Sequence, residues 1–220
     1  MKDRVSLTDF LMYHKETHPI SFHMPGHKGR STLYGIYGFG DFAKNVVGND
    51  IKESTGADAL QQPRGRIKDI MEGYAGLYGA KHTELLVNGS SAGLMASILG
   101  SVPRGGKLLM GRNSHRSVYG ALRLGGVDPV YIMPEIDDET GLQLGLDPNK
   151  IETALIEDPG IKAVLVTSQN YSGVLSDIER LASIATLHGR ILIADQEHGA
   201  HLKLLDYLRS EAGHSHRAAA

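Results

Sequence analysis

Short runs of β-branched and aliphatic residues alternate with helix-like stretches through much of the chain, and this alternation narrows the fold more than any other feature. The apolar positions within these runs are nearly continuous, which is typical of strands covered on both faces of a sheet. We predict strands at 83–87, 107–110, 127–133, 163–167 and 191–195. Helices are predicted at 7–17, 67–78, 90–100, 149–157 and 178–188. Strands that alternate with helices indicate a mostly parallel sheet with crossover helices, and hence a three-layer α/β/α fold.

Capping residues mark the boundaries of two of these helices. Asp147 precedes Pro148, which gives an N-cap residue followed by proline at the first helical position. Asp177 is expected to cap the helix at 178–188, which ends at Gly189.

Composition divides the chain into three regions. Residues 1–57 contain one predicted helix and then a glycine-rich, loop-like stretch, whereas residues 58–208 contain the alternation of strands and helices. Residues 209–220 have no apolar pattern and are predicted to form a disordered tail. We interpret the abrupt change at Arg209 as the product of a shifted reading frame or premature termination, with a natural disordered tail as the alternative.

Composition also excludes several classes of function. The 220 residues carry a formal net charge of −2, so the chain lacks the clustered basic charge on which nucleic-acid binding depends. There is no cysteine, which excludes disulfides, thiolate catalysis and cysteine metal sites. The charged N-terminus has no signal-peptide pattern, and no apolar run is as long as a membrane span. We therefore expect a cytoplasmic protein without nucleic-acid or membrane partners.

A glycine- and serine-rich segment, Gly89, Ser90, Ser91 and Ala92, is a candidate anion site and is called the glycine-serine turn below. It follows a predicted strand and opens a predicted helix, where free backbone N–H groups and the helix dipole favour a phosphate. It matches neither the P-loop nor the dinucleotide-binding fingerprint. The alternative is an ordinary helix start in which the glycines serve packing.

Candidate site residues also lie at the ends of two other predicted strands. Asp195 ends an apolar run, at the position where open α/β sheets bind ligands, and a carboxylate buried there needs a cationic partner or hydrogen bonds. The alternative for Asp195 is a helix cap. His115 follows the strand at 107–110. The spacing of His198 and His201 suggests a metal site as another alternative, with Glu197 or Asp195 as a third ligand. A phosphate site, an acid and an imidazole at one sheet edge suit a phosphorylated, nitrogen-containing aromatic cofactor.

Four sequence motifs lie at 22–29, 86–93, 113–118 and 195–201. They resemble those of the Orn/Lys/Arg decarboxylases, which are fold-type I, aspartate-aminotransferase-like enzymes that depend on pyridoxal 5′-phosphate. The resemblance covers about residues 7–201, in the expected order. It implies that 58–208 form part of the cofactor-binding major domain, incomplete at its C-terminus.

The resemblance implies a role for each candidate residue. The glycine-serine turn would bind the cofactor phosphate, and His115 would stack on the pyridine ring. Asp195 would pair with the pyridine nitrogen and keep it protonated, so that the ring acts as an electron sink. His198 would lie near the ring, and Ser168 would border its phenolic edge. His115, Asp195 and His198 are the predicted catalytic residues, and we assign no metal.

The chain departs from the family pattern at several positions. Family members commonly have Glu and Ala where this chain has Gln196 and Glu197, and the segment 60–63 lacks an expected histidine. These changes bear on substrate preference. The family's Schiff-base lysine follows the acid by a few dozen residues, but Lys203 is the only lysine after Asp195 here and lacks the family's Ser-x-His-Lys context.

Three functions remain open from the sequence. The first is a truncated or fragment form of a decarboxylase of basic amino acids, which binds pyridoxal phosphate without a covalent bond and forms a homo-oligomer or joins a complementing C-terminal fragment. The second is a catalytically inactive module that binds the cofactor or a partner. The third is a metal-dependent hydrolase that uses Asp195, His198 and His201.

Overall fold

The computed structural model describes residues 6–17, 20, 35, 38–51 and 56–205. The chain divides into two compact units, Met1–Arg66 and Ile67–Ala220. The motif at 22–29 and the predicted tail at 209–220 lie outside the described residues.

The described residues of the first unit include the helices α1 (Leu7–Glu16) and α2 (Gly40–Lys44). Helix α1 confirms the helix predicted at 7–17, and it begins at Ser6, whose hydroxyl oxygen accepts a hydrogen bond from the Asp9 N–H at 3.1 Å. After α2, the carboxylate of Asp58 accepts bonds from the backbone N–H groups of Arg64 and Gly65, at 2.9 and 2.8 Å. These bonds close the loop that leads to the next helix.

A four-stranded sheet, entirely parallel, organises the second unit. Its strands are β1 (Lys107–Gly111), β2 (Asp128–Ile132), β3 (Ile161–Thr167) and β4 (Ile191–Asp195). They lie in the order β2-β1-β3-β4. Four of the five predicted strands and the α/β fold class are thereby confirmed.

The described helices after α2 are α3 (Arg66–Tyr78), α4 (Gly89–Ser101), α5 (Arg116–Gly125), α6 (Pro148–Glu157) and α7 (Ile178–Leu187). The last four cover both faces of this sheet. Every helix predicted in this part of the chain is confirmed within one residue at each end, and α5 is an addition that the sequence pattern did not predict. No helix among the described residues is long and apolar enough to cross a membrane.

The core consists of two clusters, one on each face of the sheet, because side chains alternate along each strand. On one face α4 and α5 pack against β1 and β3, and this cluster includes Ile98, Val118, Leu108, Met110, Ala163 and Leu165. On the other face α6 and α7 pack against the same strands, and this cluster includes Ile151, Leu155, Leu181, Leu109, Val164 and Val166. Two helix layers around one sheet make the three-layer arrangement.

The predicted capping residues act as expected. The carboxylate of Asp147 accepts a bond from Asn149 N–H at 2.8 Å, and Pro148 is the first residue of α6. The carboxylate of Asp177 accepts a bond from Arg180 N–H at 3.0 Å. Gly189 follows α7 with a φ of 63°, a left-handed conformation that glycine adopts at little cost and that ends the helix.

The strand predicted at 83–87 is wrong, because the structure places these residues in no strand. A strand is stabilised by hydrogen bonds to a neighbour, and none of the strands in the described part of the chain lies beside this segment. Leu86 and Val87 are accordingly 50% and 73% exposed. The segment still leads directly into α4, so the position of the glycine-serine turn at the start of that helix is unaffected.

The central strand β3 gives a direct test of the core. Leu165 is fully buried, so Leu165→Ala removes packed methyl groups and should lower the free energy of unfolding by about 2–5 kcal/mol. Leu187 is 75% exposed, and Leu187→Ala should change it by less than about 0.5 kcal/mol. Urea denaturation followed by circular dichroism measures both, and equal effects would contradict this description of the core.

Candidate functional site

Parallel strands bring the residues that follow their carboxyl ends to one edge of a sheet, called the carboxyl edge below. Ser168 follows β3, Asp195 ends β4, and His115 lies four residues past the end of β1. The strands β3 and β4 are neighbours, with Thr167 opposite Asp195. The predicted residues therefore share this edge, and the contacts below show which of them meet.

Asp195 is buried, at 7% exposure. One carboxylate oxygen, Oδ1, accepts a bond from the backbone N–H of Glu197 at 3.3 Å, a long distance for such a bond. Within the described part of the chain, no lysine or arginine forms an ion pair with this carboxylate. Because a buried carboxylate is costly without a partner, this geometry suits a cationic group at the carboxyl edge.

Ser168 is also buried, at 1% exposure, but its hydroxyl is engaged within the protein. Its oxygen accepts a bond from Ser176 N–H at 3.1 Å, and its own N–H donates to the carbonyl of Asp195 at 2.9 Å. The amide of Asn170 further ties this segment to the carbonyl of Gln143 at 2.8 Å. The segment after β3 is thus held in place around Asp195 by its own polar groups.

The glycine-serine turn begins α4. Asn88 and Gly89 have φ values of 92° and 69°, so the chain enters the helix through two left-handed residues. Asn88 provides no side-chain cap, and the first turn of α4 contains no acidic residue. A helix start of this kind leaves N–H groups and the positive end of the dipole for an anion.

Glu197 brings an anion to this helix start. It begins a short 3-10 turn, Glu197–Gly199, after β4, and its Oε2 accepts a bond from the Ser90 hydroxyl at 2.6 Å. Sequence reasoning noted Glu197 as a departure from the family pattern and as one possible third metal ligand, and it missed this contact. The two residues are 107 positions apart, so no local pattern could have indicated it.

The 3-10 turn is packed against the segment after β3. Gly199 is buried, and a Cβ atom there would lie 3.4 Å from both the Gln169 nitrogen and the Ser168 carbonyl oxygen. The hydroxyl of Tyr78, the last residue of α3, donates to the carbonyl of Ala200 at 3.2 Å. The turn therefore links Asp195, α4 and the loop after β3.

The two predicted histidines occupy different positions at this edge. His115 is exposed and is the N-cap of α5, since its Nδ1 accepts from Ser117 N–H at 3.3 Å. His198 is exposed and meets the ring of Tyr171 edge-to-face, with centroids 6.3 Å apart. Among the described residues, no hydrogen bond or ring contact joins His115 to Ser90, Asp195 or His198.

The alternative of a metal site receives no support from the geometry. No group of three or more histidine, aspartate or glutamate side chains among the described residues is arranged to hold a metal ion. Asp195 instead accepts a bond from the backbone N–H of Glu197, and the carboxylate of Glu197 accepts one from the Ser90 hydroxyl.

Comparison with solved structures defines the class of fold. N-succinyldiaminopimelate aminotransferase from Mycobacterium tuberculosis matches with a TM-score of 0.53 and 19% identity, over 70% of this chain and 40% of that chain. An aspartate aminotransferase from Rhodobacter sphaeroides matches with a TM-score of 0.52 and 18% identity, over 70% and 39%. The fold is that of the fold-type I pyridoxal-phosphate-dependent enzymes.

Within that class, the chain belongs to the Orn/Lys/Arg decarboxylase family, because residues 5–217 match the major domain of that family. It is 31% identical over 203 residues to an arginine decarboxylase of Bacillus cereus, and 32% identical over 199 residues to one of Bacillus subtilis. These alignments cover 92% and 90% of this chain, but only 44% and 40% of the relatives. The chain thus spans about two fifths of the length of these relatives.

The family match also corrects one expectation. It extends to residue 217, past residue 201 where the resemblance was expected to end, and includes most of the segment after Arg209. The predicted disorder of 209–220 and its origin in a shifted frame remain predictions.

The buried hydroxyl of Ser168 gives a test that needs no ligand. Ser168→Ala leaves the buried N–H of Ser176 without its acceptor, so the free energy of unfolding should fall by about 1–3 kcal/mol. The exposed Ser172 provides the matched control, and Ser172→Ala should have little effect. Urea denaturation without added cofactor measures both, and unchanged stability of Ser168→Ala would refute this structural role.

Proposed function

We propose that this chain binds pyridoxal 5′-phosphate without a covalent bond, as the cofactor-binding part of a decarboxylase of basic amino acids. The observation that carries the proposal is the buried carboxylate of Asp195, which lacks a cationic partner among the described residues. It lies at the carboxyl edge of a sheet whose fold is shared with pyridoxal-phosphate-dependent enzymes. The substrate class is taken from the names of the arginine decarboxylases that the chain resembles.

The residues present fit the two polar ends of this cofactor. The start of α4, which has no side-chain cap and no acid in its first turn, suits the phosphate. In our proposal the glycine-serine turn, Gly89, Ser90, Ser91 and Ala92, binds the phosphate through N–H groups and hydroxyls. Asp195 faces the pyridine nitrogen, and its negative charge keeps a proton on that nitrogen.

The remaining predicted residues have positioning roles in the proposal. When bound, the cofactor supplies an electron sink for the carbon from which carbon dioxide leaves. His115, held by its bond to Ser117, limits the position of the ring on one face. His198 lies near the ring and is oriented by Tyr171, and Ser168 fixes the segment beside the phenolic edge.

In our proposal, the lysine that forms the Schiff base in the family is not among the 220 residues of this chain. Lys203 is the only lysine after Asp195, and it is exposed in a helical turn at 202–205. Among the described residues, no hydrogen bond or ion pair joins it to Asp195. Decarboxylation therefore requires a complementing segment, whereas reversible cofactor binding does not.

Cofactor titration tests the proposal. Adding pyridoxal phosphate should change its absorbance spectrum saturably, and Asp195→Ala should weaken binding about 10- to 100-fold through the loss of a charge-assisted hydrogen bond of about 1.5–3 kcal/mol. Asp138→Ala removes an exposed carboxylate from a loop and should leave the affinity unchanged. Equal affinities for the wild type and Asp195→Ala would refute the assignment of Asp195.

Borohydride treatment tests the absence of a covalent link. The complex should release free cofactor after reduction and denaturation, because no lysine forms a reducible adduct. An efficiently reduced adduct that peptide mapping places on Lys203 would contradict the proposal of non-covalent binding.

The proposal also includes self-association through the sheet edge. In the described part of the chain β4 pairs only with β3, so its other edge has free backbone groups, and Ile191 is 50% exposed. Exposed edges of this kind pair with other chains. Light scattering should show an oligomer, and Ile191→Lys should shift it toward monomer. A wild-type monomer that stays monomeric at high concentration would refute this part.

A further inference from the structure

The bond between Ser90 and Glu197 places a carboxylate at the group that should bind phosphate. The hydroxyl of Ser90 is the donor and Oε2 of Glu197 the acceptor, at 2.6 Å, the distance expected of a charge-assisted O–H···O⁻ bond. Ser90 is the second residue of α4 and Glu197 the first of the 3-10 turn. One of the polar groups of the glycine-serine turn is therefore occupied by the protein itself.

Among the described residues, no other side chain competes with Ser90 for the carboxylate of Glu197. Glu197 is exposed, and within the described part of the chain no lysine or arginine forms an ion pair with it. The first turn of α4 has no acid of its own. The carboxylate of Glu197 thus supplies the negative charge that a helix start attracts.

We infer that Glu197 is an internal competitor of the cofactor phosphate, and that it lowers the affinity of this chain for phosphorylated ligands. This inference rests on the proposed function, since it concerns the same glycine-serine turn. A phosphate monoester carries a charge of about −1.5 to −2 at pH 7. The phosphate cannot accept a hydrogen bond from the Ser90 hydroxyl while that hydroxyl donates to Glu197. The two anions would also repel each other if both lay beside this hydroxyl.

The competition acts only on the phosphate end of the ligand. The side chain of Glu197 contacts Ser90, whereas the contact of this residue with Asp195 is made by its backbone N–H. Substitution of the side chain therefore leaves the bond to Asp195 in place. The affinity for a ligand that has the same ring but no phosphate should therefore not change.

The test compares pyridoxal phosphate with pyridoxal on purified 220-residue variants. Glu197→Ala should bind pyridoxal phosphate about 10- to 100-fold more tightly than the wild type, with no change for pyridoxal. Inorganic phosphate should compete more strongly in Glu197→Ala than in the wild type. Glu139→Ala, which removes an exposed loop carboxylate, controls for net charge and should match the wild type. Thermal unfolding midpoints establish that all the variants fold.

A double variant, Ser90→Ala with Glu197→Ala, tests whether the effect of Glu197 depends on the Ser90 hydroxyl. In a Ser90→Ala background, Glu197→Ala should give a clearly smaller gain in affinity, because the hydroxyl for which the two anions compete is absent. Equal binding of pyridoxal phosphate by Glu197→Ala and the wild type would overturn the inference and leave the proposed function intact, provided that Asp195→Ala still weakens binding. An equal gain for pyridoxal would also overturn it. Failure of every variant to bind pyridoxal phosphate would instead refute the proposed function, and the inference with it.

Discussion

All strands of the sheet run in one direction, and the position of the candidate site depends on that constraint. Parallel strands cannot be joined by tight turns, so each connection crosses a face of the sheet and the residues after each strand meet at the same edge. On β3, Leu165 packs on one face and Val164 on the other, which fixes its register against β1 and β4. The same packing fixes where Ser168 and Asp195 leave the sheet.

The elements that could be predicted from the sequence are those whose residue pattern is compatible with only one type of secondary structure. Strands β1 and β3 are apolar at nearly every position because both faces are covered, and the runs alone indicated them. The segment at 83–87 has the same composition but no strand beside it among the described residues. Composition measures how well a residue suits a strand, whereas pairing depends on a neighbour that a local pattern does not contain.

The site could be predicted in position but not in its contacts. Two local rules indicated the residues of the site. Ligands bind at the ends of parallel strands, which pointed to Asp195, and anions bind at helix starts, which pointed to the glycine-serine turn. The bond of Ser90 to Glu197 joins residues 107 positions apart, and it forms only because α4 and the turn after β4 meet at the carboxyl edge. The cap that His115 forms for α5 is local, but histidine is not among the residues preferred at this position, so the sequence did not indicate it.

The 3-10 turn at Glu197–Gly199 makes two separate contacts at the candidate site, one through its backbone and one through a side chain. Gly199 is buried, and a Cβ atom there would lie 3.4 Å from the backbone of Ser168 and Gln169, so the turn packs closely against the segment after β3. The path of the turn aims the N–H of Glu197 at Asp195, whatever side chain position 197 carries. The side chain at 197 is exposed and reaches Ser90. The charge at the helix start can therefore change by substitution at this one position, while the buried acid keeps its backbone partner.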